Sequence, residues 1–308
     1  MANHPPATGE REPLVPVEHL PVLPPLHLAV VGHVEVVTFL RVSHIPPSGT
    51  ICQAREGMEV AAGGGAVVAV QMAKLTGRPV AFFTSLGRDR VGEQAASDLE
   101  ALGLNVHVAW RDAPTRRGVT WVDDRGERTI TVLGERLMPR ANDPLPWGQL
   151  EGSDGVFVTA TDAAGLRRAR GCPLLAATPR VRWPILLESG VRLDALVGSA
   201  LDPAEVIPKE LATLPARHTI TTEAGAGSTA LPGRRFGAPR LTAPPVDAYG
   251  AGDSFAAGVT TALAAGWSLA EAISLGSHCG AACLRGFGPY ASQMGLQVSE
   301  QDGQRRWI

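Results

Sequence analysis

Val246-Asp247-Ala248-Tyr249-Gly250-Ala251-Gly252-Asp253-Ser254-Phe255 is the stretch that decides the fold, and it runs straight into a helix of small residues, AAGVTTALAAG (256–266). Gly250, Ala251 and Gly252 stand where that helix begins. The first amide hydrogens of a helix have no partner inside it, and the helix dipole favours negative charge, so residues without bulk let a phosphate approach. Asp253 follows in the first turn, where the dipole is expected to keep its carboxylate ionised and ready to accept a proton. A carboxylate beside an anion-binding turn is the arrangement that deprotonates an alcohol attacking a γ-phosphate. The plainer reading is a glycine-rich helix start that Asp253 simply caps.

Outward from this stretch, short apolar runs alternate with helical patterns. Residues 26–32, 79–87, 155–160, 173–178, 194–199 and 217–222 read as strands, several of them apolar throughout, as strands buried on both faces are. Residues 66–77, 91–103, 250–265 and 269–284 read as helices, the first closing on Gly77. The alternation predicts an α/β fold with a mostly parallel sheet. Two stretches, about 36–60 and 106–133, break it with alternating Val, Thr, Ile and Trp, and WVDDRGERTITV predicts a hairpin around Asp124–Gly126. They are expected to form a small projecting sheet at the strand ends where ligands bind in open α/β sheets, and so to act as a lid.

With 28 Lys+Arg against 30 Asp+Glu, the chain lacks the basic excess of a nucleic-acid binder. No apolar run reaches the length of a membrane-spanning helix. Four cysteines in 308 residues make no disulfide framework, which fits a reducing compartment. Residues 1–25 are proline-rich, without the charged start and apolar centre of a signal peptide, and predict an extended, disordered tail and a cytoplasmic location. The single domain is then 26–308.

The stretch Asp247–Phe255 resembles the D-T-x-G-A-G-D-x-F signature of the ribokinase (PfkB) family of carbohydrate and nucleoside kinases. Other segments are similar to that family's motifs in the same order. Gly63-Gly64-Gly65 before a helix resembles its Gly-Gly motif near the substrate, and Ser85–Asp89 with Gly92 its G-x-D-x-x-G segment. Gly126–Thr129 is similar to its lid hairpin, and Thr222 with Gly227 to its nucleotide loop. The resemblance implies a ribokinase-like three-layer sandwich of nine or ten strands with a small β-sheet lid. It implies ATP-dependent phosphorylation of a hydroxyl, with Asp253 as general base and Gly250, Ala251 and Gly252 as the anion hole. Ser199, Thr222, Gly227 and Asp247 would serve the nucleotide, and His33, Glu35, Gly63 and Gly64 the acceptor. Mg²⁺ would bridge the phosphates, held mostly by water and phosphate oxygens, with Asp202 contributing through water. The acceptor would be a small sugar, polyol or nucleoside, and a homodimer through the lid edges is expected.

Several positions depart from the pattern, and the two polar-to-valine changes fall on the acceptor side. The aspartate that grips sugar hydroxyls falls at Val37, the asparagine of the first signature at Val67, and the first glycine of its pair at Ala62. The N-x-x-E motif becomes Ser199-Ala200-Leu201-Asp202, Ala224 replaces a glycine of the nucleotide loop, and Ala248-Tyr249 replace Thr and a variable residue. His33, Glu35 and Val37 alternate on one extended segment, so Glu35 is a candidate substitute for the missing aspartate, or else an exposed acid. Arg116-Arg117 reads first as a solvated surface pair and second as a contact for an anionic substrate. Three functions remain open: a kinase of a small sugar or polyol, a nucleoside kinase whose base packs on Val37 and Val67, and a non-catalytic kinase-like binding or regulatory protein.

Overall fold

The computed structural model describes residues 10–207, 216–298 and 305–307. Its central sheet is made of β1 (Leu28–Val31), β4 (Val80–Gly87), β5 (Leu104–Arg111), β8 (Gly155–Val158), β9 (Leu174–Ala177), β10 (Leu193–Ser199), β11 (Ala216–Thr222), β12 (Ser228–Leu231) and β13 (Arg234–Phe236). The strand order is β13-β12-β11-β10-β9-β8-β1-β4-β5, with β11 through β5 in that order mutually parallel and antiparallel pairings β11–β12 and β12–β13 at one edge. Successive residues of β1 and β4 feed opposite faces. Val30 and Phe82 pack with α1 (Gly64–Thr76), α2 (Arg90–Ala101), α5 (Ala251–Ala264) and α6 (Leu269–Cys283). Val31 and Phe83 pack with α3 (Ala163–Ala169), α4 (Trp183–Ser189) and Trp147. Burial on both faces accounts for the unbroken apolar runs, and the two cores make a three-layer sandwich.

A separate four-stranded sheet, ordered β3-β2-β6-β7, contains β2 (Glu35–Arg41), β3 (Glu56–Ala62), β6 (Arg117–Val122) and β7 (Arg128–Leu133). It leaves the main sheet just beyond the carboxyl ends of β1 and β5, as a lid must. The β6–β7 turn closes through Gly126 N to Asp123 O at 3.0 Å, as the hairpin reading predicts. Residues 106–111 are a correction: they belong to β5 of the central sheet, whose alternating pattern is that of an edge strand rather than of the lid.

The expected disordered tail is also corrected over residues 10–25. Leu20 and Leu23 are buried. The Val15 amide donates to Ser274 Oγ at 2.9 Å, and Arg234 forms two bonds to the Glu12 carboxylate at 2.8 and 2.6 Å. Proline excludes regular ladders but not packing, so the segment lies extended along α6 and the sheet edge. The rest of the predicted tail, residues 1–9, lies outside the described residues. All four cysteines are free thiols, and no helix among the described residues is long and apolar enough to cross a membrane.

Candidate active site

The start of α5 is built as its sequence suggests. Gly250 has φ +80°, a left-handed conformation that glycine adopts without cost, and a Cβ there would meet Val67 Cγ1 at 3.0 Å. No side chain caps the helix, and the Gly252 and Asp253 amides have no acceptor among the described residues. Gly252 is exposed, with nothing within 4 Å of the place a Cβ would occupy. These free donors, together with the positive end of the helix, make an open anion-binding turn.

Asp247 anchors this turn from beneath. Its Oδ1 accepts from Tyr249 N at 2.8 Å and its Oδ2 from Gly288 N at 2.9 Å, with no side-chain surface left exposed. Burial raises its pKa, against those two amides and Arg128 and Arg41. Asp247 therefore cannot touch a nucleotide, contrary to the role the resemblance implied, and it holds the backbone in place instead.

Asp253 faces the beginning of α1. A Cβ on Gly64 would lie 2.8 Å from Asp253 Oδ1 and 3.6 Å from His33 Cε1, so glycine is required for the carboxylate to sit there. Asp253 holds its proton more tightly than an ordinary aspartate, though at neutral pH it is still mostly ionised, as a base must be. Burial first, then Glu205 and Glu35, raise its pKa to about 6, while Arg180 and Arg128 oppose the rise. Desolvation and two like charges outweigh the two arginines, and the result is a group that titrates just below neutrality.

The predicted acceptor residues converge on the same place. Gly63 caps α1 with φ +87°, and its amide donates to the Tyr249 hydroxyl at 3.2 Å. That hydroxyl in turn donates to Glu35 Oε1 at 3.4 Å, and Arg116 Nε donates to Glu35 Oε2 at 2.9 Å. Glu35 is thus neither an exposed acid nor a free sugar ligand, because both oxygens are engaged in a clamp between lid and body. His33 is buried, and its Nδ1 receives Arg136 Nη2 at 2.8 Å. Since arginine only donates, the ring proton sits on Nε2. Burial, then Arg136, Arg116 and Arg180, hold the ring's pKa well below the ordinary value, so His33 is neutral.

Val37 and Val67 do not form an open apolar wall. Both are fully buried and pack with Phe39, Ala62, Val122 and Tyr249, whose ring meets Phe39 edge-on at 4.8 Å. Tyr249 belongs to the same buried cluster, and neither valine offers the exposed surface on which a nucleoside base was expected to lie. Arg116 and Arg117 part company: Arg116 turns inward to Glu35, and Arg117 pairs with Glu59 on the exposed side.

On the nucleotide side, Ser199 and Thr222 are register partners at the ends of β10 and β11, with Gly227 in the loop just beyond. Ser199 Oγ accepts from Leu201 N and Asp202 N at 3.2 and 3.3 Å, which shapes the loop that follows. Asp202 is committed to Arg180, and its Oδ1 also accepts from Ala204 N at 2.9 Å; Glu205 holds the same arginine. Among the described residues no group of three or more His, Cys, Asp or Glu could hold a metal ion. The Asp202 carboxylate neutralises Arg180. A Mg²⁺ held mostly by water and phosphate oxygens needs no such cluster, and Asp202 would contribute to it through water.

Sequence reasoning missed Arg136, Arg180 and Tyr249. A cleft of about 320 Å³ opens beside Arg136, walled also by Arg111, Glu135, Met138 and Arg140. It adjoins the site only through Arg136 and does not reach Asp253. No local sequence signal marked Arg136, whose partners His33 and Thr159 lie 103 and 23 positions away.

A mostly parallel nine-stranded sheet with a separate lid and an open helix start beside a carboxylate defines the ribokinase class of fold. A sequence profile described as pfkB family carbohydrate kinase matches residues 26–159 and 192–294, and the chain belongs to that family. It is 28% identical over 242 residues to the bifunctional protein HldE of Pseudomonas putida, covering 69% of this chain and 50% of that protein. It is 24% identical over 208 residues to the ribokinase of Arabidopsis thaliana, covering 64% of this chain and 53% of the other. The chain thus spans about half the length of these curated relatives. Among solved structures, the Arabidopsis thaliana ribokinase complexed with ribose and ATP superposes with a TM-score of 0.69 at 20% identity, over 87% of this chain and 95% of that one. This last likeness concerns the fold.

Proposed function

We propose that the chain transfers a phosphoryl group from ATP to a hydroxyl of a small polyol or sugar, with Asp253 as the general base. The observation that carries this reading is the pairing of an open helix start with a carboxylate whose proton affinity lies near neutrality. The hydroxyl would approach Asp253 over Gly64 and give up its proton to the carboxylate. The hydroxyl oxygen then forms the new bond to the γ-phosphorus as the bond to the β–γ bridging oxygen breaks, and ADP departs. Charge on the transferring group would be met by the amides of Gly252 and Asp253, which are already oriented and need no reorganisation. ATP is supported as donor by the relative solved with it, and Ser199, Thr222 and Gly227 would flank it.

An ADP-release assay with ATP over sugars, polyols and nucleosides tests the reading. Acceptor-dependent release is expected, together with a rise in Tm on ATP binding, since a ligand that binds only the folded state stabilises it. ADP release that ignores every acceptor, with no response of Tm to ATP, would remove the assignment and leave a non-catalytic relative.

A further inference from the structure

Arg136 stands where the chain leaves the lid and re-enters the body, and its guanidinium carries five N–H groups. Three of them donate: to Arg180 O at 2.7 Å, to His33 Nδ1 at 2.8 Å and to Thr159 O at 2.9 Å. All three acceptors are neutral, and Nε is closed off from water with no acceptor at all. Among the described residues no carboxylate lies within ion-pair distance of Arg136 or of nearby Arg182. The acids around them are already taken, Glu35 by Arg116 and Asp202 and Glu205 by Arg180. Burial and the neighbouring Arg180, Arg116 and Arg182 lower the Arg136 pKa to about 10, which still leaves it cationic at neutral pH. An arginine so placed ordinarily meets a carboxylate or phosphate.

Its position connects this unbalanced charge to the reaction centre. Arg136 holds His33, whose Cε1 is 3.6 Å from the point where a Gly64 Cβ would sit, and that point is 2.8 Å from Asp253 Oδ1. The donor phosphates already have the free amides of α5 to receive them. A neutral sugar would leave Arg136 without a counter-charge in the bound complex.

We infer that the acceptor carries an oxyanion, a phosphate or a carboxylate, that Arg136 binds while a hydroxyl elsewhere on the same molecule faces Asp253. Arg182, which is likewise without a carboxylate partner among the described residues, adds attraction at longer range. The inference rests on the kinase reading for the place of the acceptor, and it makes Arg136 the residue that selects the substrate class.

Matched neutral and anionic compounds test it by calorimetric titration: a hexose and its 6-phosphate, a pentose and its 5-phosphate, an alditol and the aldonate of equal length. At least one anionic member is expected to bind tenfold or more tighter than its neutral partner. That binding should weaken about ten- to a hundredfold in Arg136→Gln. It should be largely retained in Arg136→Lys, with the Kd for ATP unchanged in both. The phosphate and aldonate arms separate the two sources of the charge. Neutral members binding as well as anionic ones, no anionic member binding, or Arg136→Gln weakening ATP instead would each overturn the inference. If Arg136→Gln does not fold, Arg136→Lys and the wild-type comparison decide. Anion binding without ADP release would sink the kinase reading alone, whereas turnover of neutral acceptors only would sink this inference and leave the kinase.

Discussion

The two sides of the candidate site are made of different materials. The donor side is a turn of backbone amides and small residues, Gly250 to Gly252, braced by the fully buried Asp247. The acceptor side is made of long side chains reaching across the molecule: Tyr249 to Glu35, Arg116 to Glu35, Arg136 to His33. A backbone turn has little room to vary without losing its shape, whereas side-chain networks can be exchanged whole. That is why the Gly250–Gly252 turn keeps the family's pattern while the acceptor side has Val37 and Val67 packed where polar groups were expected.

The contrast is most severely tried at the point where the two sides touch. Gly64→Ala would push a methyl group against the Asp253 carboxylate, given the 2.8 Å spacing. Displacing a catalytic group by about 1 Å costs on the order of a hundredfold, so kcat should fall between ten- and a hundredfold with an unchanged Kd for ATP. Retention of full kcat would mean that the two sides are not joined there. Next in size is Tyr249→Phe, which leaves the buried Gly63 amide without its acceptor and Glu35 with one partner fewer. Denaturant unfolding should show a loss of about 1–3 kcal/mol. Smallest is Glu59→Ala on the outer surface of the lid, where Arg117 and Glu59 are each about half exposed. Such pairs contribute at most about 1 kcal/mol, so neither Tm nor acceptor KM should move appreciably. A large effect there would show that the outer lid face belongs to the site.

The same division explains what was legible in the sequence. The anion turn, the lid hairpin and the main strands were readable because each is a contiguous run with its own local physics. Leu28–Val31 is apolar because both faces are covered, and Gly126 closes a turn within five residues. Arg136 and Tyr249 were not readable, because their partners lie 103 and 214 positions away and no local pattern encodes such a contact. Residues 104–111 were misassigned in part to the lid because an edge strand of the main sheet alternates as a lid strand does. The prolines of residues 10–25 were read as disorder, but proline limits only the local conformation and leaves Leu20 and Leu23 free to pack. The raised pKa of Asp253 was not legible, since burial and the charges of Glu205 and Glu35 come from distant parts of the chain.

The central claim is that Asp253 takes the acceptor's proton, and steady-state kinetics of Asp253→Asn across pH test it most directly. For the wild type, kcat/KM should climb as the carboxylate loses its proton through about pH 6 and level off above. Because the pKa is raised from its ordinary value, the stability this group contributes is full at low pH and lost as pH rises through about 6. The asparagine variant should therefore be at least as stable as wild type at pH 8, an advantage that disappears near pH 4. The account predicts a kcat at least a hundredfold lower in the variant, with no limb near pH 6 and an undiminished affinity for ATP. A variant that keeps more than about a tenth of wild-type kcat, with the pH limb still in place, would contradict it.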